Sequence, residues 1–197
     1  MSQRNRWKIM STSKPDKPRR RLDDYETPPD NTLLLRHHVK FKGPILEPAC
    51  GSGRMVRALR ESYPGIRVTG TDVKTGHDFT KRTKPWAGDI ATNPPYRDGL
   101  ADLFTNKALQ LADGRVAMLM QSGFAWGSRR YDSLYAHVKP DLILIIPWRI
   151  HFFEGPEGPP IDSQFFTHAW YVWPDRKTRE RGGYKTQVDW ASPPEFG

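Results

Sequence analysis

The chain has 197 residues, a single cysteine and a formal net charge of +9. That length holds one domain with one sizeable core. One thiol excludes an intramolecular disulfide and argues against a cysteine-built metal site, and no run approaches the ~18 apolar residues of a membrane span.

Residues 1–22 read as a disordered basic arm, with eight Lys or Arg (Arg19, Arg20 and Arg21 among them) against one acid, Asp16. Such an arm suits a phosphate backbone and would bind it in a salt-dependent way; the plainer reading is a solubilising tail. No apolar leader follows it, so a cytoplasmic protein is expected. A folded domain is expected over 23–175 and a polar tail over 176–197. Within the domain, a Pro-broken turn leads to a short helix near Thr32–Val39. "GPILEPACGSG" is a brief buried strand ending in a glycine-rich turn. "RMVRALRESY" carries Met55, Val56 and Leu59 on one helical face, and "YPG" stops it. "IRVTGTDV" and "GDIATNPP" are further strands, separated by an irregular segment. Leu100, Leu103, Phe104, Ala108 and Leu111 fall at helical spacing. "RVAMLMQ" and "DLILIIPW" are continuous apolar runs of the kind a strand buried on both faces shows, with the helix "GSRRYDSLYAHV" between them. "HFFEGPEGPPIDS" is a long Gly/Pro loop that either covers a pocket or joins strands, and "QFFTHAWYVW" is the last strand. Alternating strands and helices predict an α/β fold with a mostly parallel sheet. The last two strands, sharing only a loop, predict an antiparallel hairpin at one edge.

Two stretches carry chemistry. In "EPACGSG", Gly51 and Gly53 sit between a strand and a helix, where glycine lets a ligand approach the backbone and the helix start offers unpaired N–H groups. Asp72 ends the next strand, the position that meets a ribose in doubly wound sheets. Alternatively, the turn is merely tight and Asp72 caps the following segment. In "NPPY", Pro94 and Pro95 have no N–H and restrict φ, holding Asn93 and Tyr96 in a stiff turn. The Asn93 side chain and the Pro94 carbonyl supply two acceptors beside an aromatic plate, a site for a planar group bearing an NH₂. Both stretches fall at carboxyl ends of strands, so both are expected to face one crevice.

With these motifs in place, the chain resembles the S-adenosylmethionine-dependent amino-methyltransferases, most closely the N6-adenine DNA methyltransferases of gamma-like motif order. The likeness runs from Tyr25 to Trp173 and rests on "YETPP", "EPACGSG", "TDV", "HDF", "DIATNPPY" and the aromatic loop around Phe165. It implies a Rossmann-like seven-stranded sheet with helices on both faces, and S-adenosyl-L-methionine as cofactor. Glu47, Ala49, Gly51 and Gly53 would line its methionine and ribose parts. Asp72 would take the ribose hydroxyls, Val73 would pack on the adenine, Asp78 would accept from its amine with Phe79 alongside, and Tyr25 and Thr27 would hold the methionine end. Asn93 and Pro94 would accept from the target amine, Pro95 would stiffen the turn, and Tyr96 would stack on the target base. DNA is the implied partner, with RNA adenine or guanine, a protein glutamine, or a silent nucleic-acid-binding subunit as the alternatives. The chain has no room for a recognition domain on the order of 100 residues, which leaves specificity to short loops, to a partner subunit, or to nothing beyond one or two bases; a partner subunit or a homodimer is the assembly this allows. The family's cellular setting is the bacterial or phage-infected cytoplasm.

The remaining candidates each have a plainer reading. Phe165 or Phe166 would touch the target base or else belong to the core. Arg129, Arg130 and Arg149, with the cluster Arg176, Lys177, Arg179 and Arg181, would touch phosphates or form a solvated face. The six histidines lack metal-ligand spacing, so no metal is expected, and Cys50 reads as a small packing residue.

Overall fold

A strand with apolar side chains at nearly every position must be covered on both faces, and the computed structural model is built around that requirement. It describes residues 25–155, 158–160 and 166–192; the basic arm, with Arg19, Arg20 and Arg21, and Phe165 lie outside the described residues. The strands are β1 (Tyr25–Glu26), β2 (Ile45–Glu47), β3 (Val68–Gly70), β4 (Asp89–Thr92), β5 (Val116–Gln121), β6 (Leu142–Ile146), β7 (Phe153–Glu154), β8 (His168–Trp173) and β9 (Gln187–Trp190). Seven of them form one sheet in the order β3-β2-β4-β5-β8-β6-β9, while β1 and β7 pair antiparallel apart from it. Only β8 runs against its neighbours, pairing antiparallel with both β5 and β6. The mixed, mostly parallel α/β sheet is as the sequence predicts.

Along β5 the two faces alternate. Val116, Met118 and Met120 pack on one side with Phe104, Ala108 and Leu111 of the helix Leu100–Leu111, and Ala117 and Leu119 pack on the other with Met55, Val56 and Leu59 of the helix Arg54–Ser62. In chain order the helices are α1 (Pro29–Leu33), α2 (Leu35–His38), α3 (Arg54–Ser62), α4 (Leu100–Leu111), α5 (Ser128–Arg130), which continues into a wider π turn at Tyr131–Tyr135, and α6 (Arg176–Arg181). The helix expected near Thr32–Val39 is therefore split in two and starts earlier, at Pro29, where a proline fits the first turn.

Two differences concern the end of the chain. The β6–β8 pair is antiparallel but not at an edge, because β9 joins β6 on its outer side, parallel and in register from Leu142↔Gln187 to Ile145↔Trp190. The polar tail expected over 176–197 thus contributes a helix and a sheet strand. Arg179 in α6 is held by the carbonyls of Leu109, Ala112, Gly114 and Pro174, and Arg176 by Asp113 and Gln110. These two arginines are fasteners, not a solvated phosphate-binding face.

At the amino ends of the central strands a buried carboxylate ties three segments together. Asp89 accepts from the backbone N–H groups of Lys42, Gly43 and Arg115 at 3.0, 2.8 and 2.7 Å. Gly114 makes this approach feasible, since a Cβ there would lie 2.3 Å from Asp89 Oδ1. No helix among the described residues is long and apolar enough to cross a membrane.

Candidate active site

At the opposite, carboxyl edge of the sheet, the turns after β2, β3 and β4 enclose a cleft of about 390 Å³, within the range of small-molecule sites. Of the residues expected at a cofactor, Tyr25, Thr27, Glu47, Ala49, Gly51, Asp72, Val73, Asp78 and Phe79 all line it, and so do Asn93 and Pro95. Gly53 stands behind it as the cap of α3, with φ 85°. Gly51 turns the backbone at φ 50°, a conformation glycine adopts without strain.

Glu47 ends β2 and is fully buried. One oxygen, Oε1, accepts from the Ala49 N–H at 3.0 Å and from the Thr92 hydroxyl. The other, Oε2, has no partner among the described residues. Burial pushes this carboxyl up to about 8, against the pull of the Thr92 and Ala49 hydrogen bonds and with some help from the charge of Asp72. A buried, unpaired carboxyl oxygen at the head of a cleft calls for a polar partner, and a cationic donor there would draw off the proton that burial retains.

Asp72 caps the following segment, as the plainer of the two sequence readings foresees. Its Oδ2 accepts from Gly51 N–H and its Oδ1 from Lys74 N–H, each at 2.9 Å, so it caps the following turn and also fixes the glycine turn. Each oxygen keeps a further lone pair for a hydroxyl. Val73 beside it is 58% exposed, an apolar face open to a flat ring. Asp78 caps the turn Phe79–Lys81 through Thr80 N–H and its hydroxyl; the Thr80 hydroxyl, with Lys81, holds its carboxyl below the usual range. Phe79 is buried against Phe104, ring centroids 5.0 Å apart.

Asn93 stands where β4 breaks at the prolines. Its Nδ2 donates to Thr27 Oγ1 at 3.1 Å, and its Oδ1 lies 2.7 Å from the Tyr96 hydroxyl. That hydroxyl is also 2.8 Å from the Leu119 carbonyl. Here the structure departs from the outward aromatic plate that the motif predicts. Tyr96 is half-buried, packs against the α4-side core and anchors its hydroxyl on β5, and neither it nor Pro94 lines the cleft. Its ring lies near that of the buried His168, centroids 6.4 Å apart. Burial keeps that imidazole neutral down to about 4.

Sequence reasoning overlooks Glu26. It is buried, accepts from Ser52 N–H at 2.9 Å, from Ser52 Oγ at 2.6 Å and from Arg54 Nε at 3.1 Å, and so clamps β1 onto the glycine turn. Arg54 also lies over the Phe153 ring of β7 at 4.1 Å. The available signal is an acid inside the quoted "YETPP", next to two residues already assigned to the cleft.

The nucleic-acid candidates divide. Arg129 and Arg149 are exposed, and Phe166 is 43% exposed. Arg130 is not available for phosphate: it grips Asp102 through two nitrogens at 2.6 and 3.0 Å, donates to the Phe124 and Trp126 carbonyls, and stacks on Phe124 at 4.0 Å. Its partner Asp102 sits 28 positions earlier, beyond the reach of local sequence pattern.

The fold is similar to that of Rossmann-like methyltransferases. The chain is 29% identical over 106 residues to a trans-aconitate 2-methyltransferase of Paracidovorax citrulli, covering 51% of this chain and 41% of that protein. It is 29% identical over 111 residues to a ribosomal RNA small subunit methyltransferase C of Shewanella sediminis, covering 46% of this chain and 32% of that protein. Among solved structures, it superposes with a TM-score of 0.56 and 13% identity on a modification subunit assigned to a type I restriction enzyme of Vibrio vulnificus, covering 88% of this chain and 48% of that one. The chain thus spans less than half the length of each. No family model matches it. The expected cofactor, S-adenosyl-L-methionine, agrees with these methyltransferases, and the orphaned Glu47 oxygen, the Asp72 lone pairs and exposed Val73 fit its ammonium, ribose and adenine.

Proposed function

We propose that the chain is an S-adenosyl-L-methionine-dependent methyltransferase acting on the exocyclic N6 amine of adenine in DNA. The observation that supports this reading best is the position of Asn93, which lines the cleft and is oriented on two sides by Thr27 and Tyr96. The bound cofactor supplies a methyl group on a sulfonium. Glu47 Oε2 receives the ammonium of its methionine end, giving up the proton that burial otherwise retains. Asp72 takes the ribose hydroxyls, and Val73 and Phe79 flank the adenine. Asn93 Oδ1, which lines the cleft, accepts a hydrogen of the target amine. That bond favours a pyramidal nitrogen, whose lone pair is then free for in-line attack, so positioning and electrostatic preorganisation carry the acceleration. A duplex base must first be turned out of the stack to reach this edge, and the basic arm adds salt-dependent phosphate contact.

The test incubates the protein with methyl-labelled cofactor and DNA, RNA or protein, and identifies the labelled group. N6-methyladenine in DNA is expected. Label on RNA adenine or guanine, or on a protein glutamine, would replace the substrate; label in none would overturn the reading. In the same assay Asn93→Ala should lower transfer by at least 10²–10³-fold, on the order of the loss seen when one transition-state hydrogen bond is removed. Cofactor affinity, measured by calorimetry, should be nearly unchanged.

A further inference from the structure

Trp126 is 74% exposed, more than any other large apolar side chain among the described residues. The backbone that carries it is nevertheless tied on every side. Its N–H donates to the Gly123 carbonyl at 3.1 Å, and its carbonyl receives Arg130 Nη1 at 3.1 Å. The Phe124 carbonyl is held by Arg130 and by the Tyr135 hydroxyl, and the Tyr171 hydroxyl bridges Ser122 and Ala125. Arg130 is itself locked to Asp102. A loop fixed this firmly below, with an indole left in water above, is a preorganised aromatic and not a floppy one.

Its place in the fold indicates what it meets. The loop follows β5, the strand next to β4, whose end bears Asn93. It is joined to the start of β8 by Ser122 N–H to the Thr167 carbonyl at 2.9 Å and by the Ser122 and Thr167 hydroxyls at 2.6 Å. Phe166, 43% exposed, precedes that junction, and Tyr131, 55% exposed, lies one turn beyond Trp126. Arg129, between them in the chain, is exposed, unlike its neighbour Arg130. Aromatic faces interleaved with cationic charge, on a chain of net charge +9, suit a polyanion with stacked rings.

We propose that Trp126, with Phe166 and Tyr131, is a stacking platform for unpaired nucleotides that flank the target base. The proposal rests on the nucleic-acid reading given above. Stacking on aromatic side chains tolerates any base, so the platform would hold strand without reading sequence.

The test is binding of a mixed-sequence single-stranded oligonucleotide to the full chain, followed by fluorescence anisotropy and by quenching of tryptophan emission, without cofactor or turnover. Trp126→Ala should weaken binding about 5- to 150-fold, and Trp126→Phe should retain most of the affinity while losing much of the quench. Unchanged affinity in Trp126→Ala overturns the proposal. So does an equal loss of affinity for heparin, a polyanion without bases, since charge or folding would then explain the effect. Thermal unfolding of Trp126→Ala, a surface change, should match the parent. If the parent labels only protein in the methyl-transfer assay, the substrate reading fails; if it labels nucleic acid while Trp126→Ala binds and labels equally well, only the platform fails.

Discussion

Two buried carboxylates stand at opposite ends of neighbouring strands, and they are satisfied very differently. Asp89 opens β4 and accepts three backbone N–H groups. Glu47 closes β2 and leaves one oxygen with no partner among the described residues. Burial raises both carboxyls, yet only Asp89 is compensated by the chain itself. Asp89 is therefore satisfied as folded, while Glu47 is left with one oxygen unpartnered. At the head of a cleft, such a deficit is one that a ligand can supply.

Substitutions at the two sites should separate stability from binding. Asp89→Ala strands three N–H groups and should lower the unfolding free energy by about 3 kcal/mol or more, read from urea denaturation. A loss below about 1 kcal/mol would mean that the amino edge is held by something else. Glu47→Gln should instead weaken S-adenosyl-L-methionine binding about 10- to 100-fold, the worth of a charged hydrogen bond, with little loss of stability. If the two variants behave alike, the contrast between the edges collapses.

A smaller effect follows from the Glu47 titration. Its carboxyl is raised from 4.5 to about 8, so the folded chain holds a proton that the unfolded chain releases. Its contribution to stability is full below pH 4.5 and is lost as pH rises toward 8. The unfolding free energy of the parent should accordingly fall relative to Glu47→Gln between pH 5 and 8, and a constant difference would contradict the burial argument. His168, lowered from 6.5 to about 4, acts on the acid side with the opposite sign. The stability of its neutral ring is lost as pH falls from 6.5 through 4, and His168→Phe should blunt that loss.

What could be seen in the sequence follows from the range of the interactions. Periodicity is local, so "RVAMLMQ" and the Leu100–Leu111 pattern read directly as β5 and α4. The cleft also read well, because glycines, prolines and acids at strand ends report backbone needs within a few residues. β9 did not read as a sheet strand, because in "QVDW" Gln187, Val188 and Trp190 stay exposed and Asp189 is only half-buried, leaving no apolar face to betray it. Arg130 looked like a surface cation because its anchor, Asp102, lies on another helix. The inward turn of Tyr96 depends on the Leu119 carbonyl of a strand two elements away, which no motif records.

The pairing of β1 with β7 has a consequence for the order of assembly. Tyr25 and Glu154 are brought together from far apart in the sequence, a closure with a large entropic cost and little local help. Glu26 and Thr27 reach the glycine turn and Asn93 from this strand, so both halves of the cleft depend on a contact made late. On a ribosome, β2 to β5 can pair while β7 is still unsynthesised, whereas β8, with the buried Trp170, Tyr171 and Trp173, emerges only after β7. The cleft would be finished only after Phe153 has emerged, so ligand affinity would report that β1 and β7 have met.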